Sequence, residues 1–225
     1  MKTLKTVDAL TTRLLEIQRI NSAAALLSWD QETYMPAGGG EARAEQISTL
    51  QGIAHQKFVS PDVEQLLTTW VDPETGEILD SPGETWDEPS RSLLREVWRD
   101  YRRAKKLPSD FVITLSRECS LAQQVWVEAK ENQAFSQFLP NLRTVLSLKR
   151  EEAEYLGYED SPYNALLDAY EPGSTSRPCV RCSHRSKGAW CRCSKRFNRV
   201  RCRSTTECSF TPSTRPTNWS SAGWF

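Results

Sequence analysis

Histidine is almost missing from this chain: 225 residues contain two, His55 and His184, and neither is followed by glutamate. A helix that holds zinc through H-E-x-x-H needs two imidazoles four residues apart on one face. The glutamate beside the first then deprotonates a metal-bound water. No such run occurs, so no residues here can carry that chemistry. Cysteine is also scarce at first. Cys119 stands alone in the first 176 residues, which excludes a disulfide framework there and fits a reducing cytoplasm. No apolar run approaches the ~18 residues that a membrane helix requires. The opening segment, MKTLKTVDALTTRLLEIQRI, lacks a continuous apolar core and a small-residue cleavage site. Neither a signal peptide nor a membrane anchor is expected.

The formal net charge of zero conceals two unlike segments. Residues 1–176 carry 18 Lys+Arg against 28 Asp+Glu, a net of −10, whereas residues 177–225 carry 11 basic side chains against one acid, Glu207, a net of +10. The other six cysteines, Cys179, Cys182, Cys191, Cys193, Cys202 and Cys208, also fall in the second segment. The two are expected to be separate structural units, 1–176 and 177–225.

In the first segment apolar residues recur at helical spacing. Leu4, Val7, Leu10, Leu14 and Ile17 advance by three or four, and Leu93, Leu94, Val97, Trp98 and Tyr101 share a face. Phe111, Val112, Leu115, Cys119, Ala122 and Trp126 form a third stripe, and Phe138, Leu142, Val145, Lys149 and Ala153 a fourth. All are assigned to packing. Ser60-Pro61 supplies an N-cap and a proline suited to a first turn. Pro36 and the run Gly38-Gly39-Gly40 are expected to end the first helix. The Pro-, Gly- and acid-rich stretch 72–89 reads as a loop. The expected fold is all-α, with helices at about 3–34, 41–57, 61–70, 90–106, 109–132, 137–156 and 162–170, each end accurate to ~2–4 residues. The basic cluster Arg99, Arg102, Arg103, Lys105 and Lys106 either binds an anion or, the preferred assignment, is a solvated helix face complementing the C-terminal dipole.

One segment is unusual enough to indicate ancestry. Trp29-Asp30-Gln31-Glu32-Thr33-Tyr34-Met35-Pro36 precedes the glycine run, then Glu41-Ala42-Arg43-Ala44-Glu45-Gln46. Further on come Leu148-Lys149-Arg150-Glu151-Glu152-Ala153 and Leu166-Leu167-Asp168-Ala169-Tyr170-Glu171-Pro172-Gly173. These segments, in this order from residue 1 to about residue 176, resemble the N-terminal third of the carboxypeptidase Taq family. The resemblance implies the N-terminal part of a larger helical, often homodimeric metallopeptidase that removes C-terminal residues from peptides with broad specificity. It implies a zinc ion, replaceable by cobalt, on a helix bearing H-E-x-x-H and a downstream glutamate.

None of those ligands, and neither the His-Pro-Phe nor the His-Glu-Ser-Gln run of the family, is present in the sequence. No catalytic, cofactor-binding or metal-binding residue is therefore assigned, and the chain as written is expected to be inactive. His55 is expected at a surface or in a capping role. Asp30, Glu32 and Arg43 are expected to fix the first helix–helix corner by hydrogen bonds and ion pairs; contact with substrate is their alternative role. The partners expected are peptides with a free C-terminus and, from the resemblance, a second copy of the chain, but not nucleic acid or a membrane.

Residues 177–225 show neither helical stripe nor alternation, and three origins compete. Cys179-x-x-Cys182 is a proper zinc knuckle, but Cys191-x-Cys193 is poorly spaced to complete it. Arginine interleaved with Trp and Phe suits a nucleic-acid tail, yet no known module is present. The favoured origin is a shifted reading frame. Cys and Trp codons both begin TG, so reading from the third base of the preceding codon gives NTG: Leu, Met or Val. The Trp190/Cys191 junction is then forced to Val, and a Cys/Trp-rich string becomes the shadow of an amphipathic helix. A shift near Arg177 and a premature end are expected, with a tail unable to bury enough surface to order itself. A non-catalytic helical interaction module is the alternative function for residues 1–176.

Overall fold

The computed structural model describes residues 2–79 and 87–176, with side chains from Asp8 onward. The side chains of Leu4 and Val7, the middle of the 72–89 loop and everything expected of residues 177–225 lie outside the described residues. The chain divides into two units, Met1–Ser174 and Thr175–Phe225. The first unit holds the seven helices of the described residues.

The described residues form an all-α fold of seven helices: α1 (Lys2–Thr33), α2 (Gly40–Phe58), α3 (Pro61–Thr68), α4 (Glu88–Lys105), α5 (Ser109–Glu131), α6 (Phe135–Leu156) and α7 (Pro162–Leu167). Local chemistry sets several starts. The Ser60 side chain accepts from Val63 N–H, Asp87 from Ser90 N–H and Ser161 from Tyr163 N–H, each with proline in the first turn. Each cap satisfies a donor that the helix itself leaves unpaired. α6 ends at Gly157, whose N–H closes the last turn onto the Ala153 and Glu154 carbonyls and whose φ of 75° then carries the chain out of the helix.

α1 ends at Thr33, ahead of Pro36 and the glycine run as expected, and Ala37–Gly39 then forms a 3-10 turn that runs directly into α2. The 72–89 loop begins as a tight turn, in which Asp72 Oδ1 accepts from Glu74 and Thr75 N–H and Val71 bridges Ile78 in antiparallel fashion.

α5 packs between α2 and α6, and α2 packs between α1 and α5. The α2–α5 approach is close because α2 presents small, buried residues every fourth position: Gly40, Ala44, Ser48 and Gly52. A Cβ at Gly52 would lie 2.6 Å from Ile113 Cγ1, and one at Gly40 would lie 1.6 Å from Gln124 Oε1. The largest core joins α1, α3 and α4 through Leu10, Val63, Leu67, Trp70, Leu94, Trp98 and Tyr101. Not every stripe residue is inside. Leu93 and Trp126 are each 45% exposed. Leu93 sits one residue, about 100°, behind Leu94 and misses the core face; Trp126 lies on the last turns of α5, with Lys130 Nζ 4.9 Å from its ring centre.

Candidate functional site

The signature segment 29–46 closes the corner between α1 and α2. α1 ends as Tyr34 and Met35 N–H both return to the Asp30 carbonyl, at 3.0 and 2.9 Å. The Arg43 guanidinium then reaches back across the corner, pairing with Asp30 Oδ2 at 2.7 Å and donating to the Leu27 carbonyl at 2.8 Å. α5 completes the lock. Gln31 donates to the Ser120 carbonyl and accepts from Ser120 Oγ (2.9 and 2.8 Å), Gln123 donates to Glu32 (2.8 Å), and Gln124 donates to the Ala37 carbonyl (3.1 Å). Asp30, Glu32 and Arg43 thus each hold a neighbouring helix. The α5 partners Ser120, Gln123 and Gln124 carry no sequence signal of this role, because nothing local marks a polar residue whose partner lies some ninety positions away.

His55 joins α2 to the α4–α5 junction. A carbonyl only accepts, so Nε2–H donates to Ala104 O at 3.0 Å, and Nδ1 then accepts from Ser109 Oγ at 3.2 Å. Both ring nitrogens are engaged. Among the described residues no group of three His, Cys, Asp or Glu is placed to hold a metal. The described residues therefore do not fit the zinc ion of the expected chemistry, and no catalytic step runs through it. Cys119 is half-buried, and burial pushes its thiol up from its ordinary pKa, with Lys149 opposing.

The basic cluster is more than a solvated face. Arg99, Arg103 and Lys106 lie along one side of α4 and its C-cap and donate to the Asp168, Ala165 and Leu156 carbonyls, at 2.6, 2.9 and 2.6 Å. These acceptors lie in and just after α7 and at the last residue of α6, where helix carbonyls lack intrahelical partners. The Asp168 carboxylate lies 3.7 Å from Arg99 and 3.6 Å from Arg103, and it accepts from Gly173 N–H at 3.0 Å. The second signature segment is therefore pinned onto α4. Lys105 points elsewhere and pairs with Glu64. Arg102 is exposed and has no bonded partner among the described residues. Between α4, the 72–77 turn and the 156–173 segment lies a cleft of roughly 640 Å³. Trp98 forms part of its wall, and the buried Trp98 Nε1–H has no acceptor among the described residues. An unsatisfied buried donor costs about 1–3 kcal/mol.

This helical arrangement recurs in solved metallocarboxypeptidases. The Trypanosoma cruzi metallocarboxypeptidase 1 structure superposes with a TM-score of 0.60 at 27% identity, covering 82% of this chain and 35% of that one. A crystal structure described as BsuCP gives 0.71 at 27% identity, covering 79% and 34%. The chain belongs to the carboxypeptidase Taq (M32) metallopeptidase family, whose model matches residues 9–187. Thermostable carboxypeptidase 1 of Pyrococcus furiosus is 34% identical over 173 residues, which are 77% of this chain and 33% of that protein. Its namesake from Thermus thermophilus is 34% identical over 187 residues, 76% and 35%. The chain thus spans about a third of the length of the relatives it matches. The family match ends at residue 187, past the boundary near 176 drawn from the sequence.

Proposed function

We propose that residues 1–176 are the N-terminal helical scaffold of a zinc-dependent metallocarboxypeptidase that releases C-terminal amino acids from peptides, and that residues 1–225 alone do not hydrolyse them. One observation carries this: the chain belongs to a metallopeptidase family, yet its two histidines stand in no H-E-x-x-H. The signature residues support it, since Asp30, Arg43 and Asp168 bind neighbouring helices. Peptides with a free C-terminus and zinc or cobalt are assigned to the full-length family enzyme on family grounds, and a cytoplasmic setting on the lone Cys119 of residues 1–176. The test is a carboxypeptidase assay on C-terminally unblocked peptides with added zinc. The purified 225-residue chain is expected to show no turnover above buffer; robust, chelator-sensitive release of amino acids overturns the proposal.

For residues 177–225 we propose a shifted reading frame, resting on the Cys/Trp-rich composition. An alternative frame across codons 170–230 that encodes ordinary amphipathic helix supports it; stoichiometric zinc on the thiols of the tail contradicts it.

A second role, as a helical dimerisation or interaction module, is favoured by large apolar side chains left in solvent: Leu26 is 63%, Tyr34 76% and Phe135 62% exposed. Such side chains, where they cluster, mark interaction surfaces.

A further inference from the structure

We propose that the groove between α1 and α4 binds a small organic cation with an apolar body, its ammonium paired with Asp100 and its hydrocarbon seated between Leu15 and Leu93. Such binding is independent of the peptidase assignment. Leu14 and Leu15 of α1, Leu93 and Val97 of α4, and Phe58 at the end of α2 line a groove of roughly 460 Å³. That volume falls among small-ligand pockets, about 300–1,000 Å³. A stable protein partner would need about 20–30 residues a side, more than this groove presents. Leu15 is 49% and Leu93 45% exposed, so hydrocarbon on both walls still stands in water. Covering it with an apolar ligand body is favourable.

Asp100 sets the sign of the ligand. It is the one charged side chain lining the groove among the described residues. Its carboxylate has no hydrogen bond or ion pair there. The nearest cations along α4, Arg99 and Arg103, turn instead to Asp168, and Arg99 also meets Glu96. Burial against the apolar walls raises the pKa of Asp100 above its ordinary value, opposed by Arg99, reinforced by Glu96 and opposed again by Arg103. A carboxylate partly stripped of water and left unpaired is stabilised when a cation comes beside it.

The rest of the rim agrees with a cation. Gln18 and Asn21 add side-chain carbonyls on the α1 wall, and an ammonium group has three protons to donate. Asp100 stays partly open to solvent, so a ligand can reach it. An anion is repelled by Asp100, and a neutral apolar molecule leaves it unpaired.

The test is a titration of the full 225-residue chain with phenethylammonium chloride at neutral pH and constant ionic strength, followed by leucine methyl resonances in carbon-13 NMR. The Leu93 resonance, identified by its loss in Leu93→Ala, is expected to shift saturably, and that of Leu146, exposed on α6, to stay in place. Asp100→Asn is expected to weaken binding about fivefold, the scale of a partly exposed ion pair. The uncharged 2-phenylethanol has the same apolar body. It is expected to bind the parent about fivefold more weakly than the amine does, and Asp100→Asn as well as the amine does. The absence of a saturable shift at Leu93, an equal shift at Leu146, an unchanged affinity in Asp100→Asn, or equal binding of amine and alcohol to the parent overturns the proposal. Should Asp100→Asn not fold, the comparison of amine with alcohol on the parent decides it.

Discussion

Arg43 shows how much one side chain contributes at a helix corner. It is only 16% exposed, and Asp30 is the carboxylate that pairs with it, at 2.7 Å. Asp30→Asn keeps the shape and removes the charge, leaving a half-buried guanidinium with the Leu27 carbonyl. A loss of ~1–3 kcal/mol is expected, the usual cost of breaking a partly buried charged pair. It is read as a lower urea midpoint by circular dichroism with an unchanged slope. Cys119 gives a pH-dependent outcome. The thiolate is the reactive form, and burial raises the pKa of this thiol. At mildly alkaline pH it is therefore less ionised than an ordinary cysteine. Alkylation followed by peptide mass mapping is expected to label Cys119 more slowly than a model thiol. Its rate should still be climbing with pH where the model thiol has levelled off. A rate matching the model thiol across that range contradicts this. The roles of Asp30 and Arg43 at the corner were legible in the sequence, because both flank a turn that local rules could place. The role of Arg103 was not, because its acceptor at Ala165 lies 62 residues away.

At the scale of elements, the α2–α5 contact separates helix propensity from packing. A Cβ on Gly38 would meet nothing within 4 Å, whereas one on Gly52 would face Ile113 at 2.6 Å. Gly38→Ala is expected to stabilise by roughly 0.4–1 kcal/mol, by restricting the unfolded chain. Gly52→Ala gains ~1 kcal/mol of helix propensity but incurs overpacking of ~1–3 kcal/mol. A net loss on the order of 1 kcal/mol is expected, so thermal melts should move in opposite directions. The position of α2 can be read from the sequence, but the four-residue spacing of its small residues acquires meaning only when α5 lies against it. Leu93 is the converse case: it belongs to an apolar stripe, yet the final rotation of α4 leaves it 45% exposed.

At the scale of the whole molecule, the chain spans about a third of its relatives' length, and large apolar side chains remain in solvent. If residues 1–176 act as an association module, sedimentation velocity at several concentrations will show a shift toward dimer; a concentration-independent monomer removes that role. Helix number, the Ser60 cap and family ancestry were written in the sequence alone. They depend on spacing within a turn or two and on short ordered runs such as 29–36 and 166–173. The tertiary structure alone decided that the cations of α4 hold the ends of α6 and α7, that His55 joins two helices with both nitrogens, and that Trp98 and Arg102 face one cleft. The physical reason is that a carbonyl at a helix end takes whichever donor the fold brings within about 3 Å, and sequence spacing does not encode that distance.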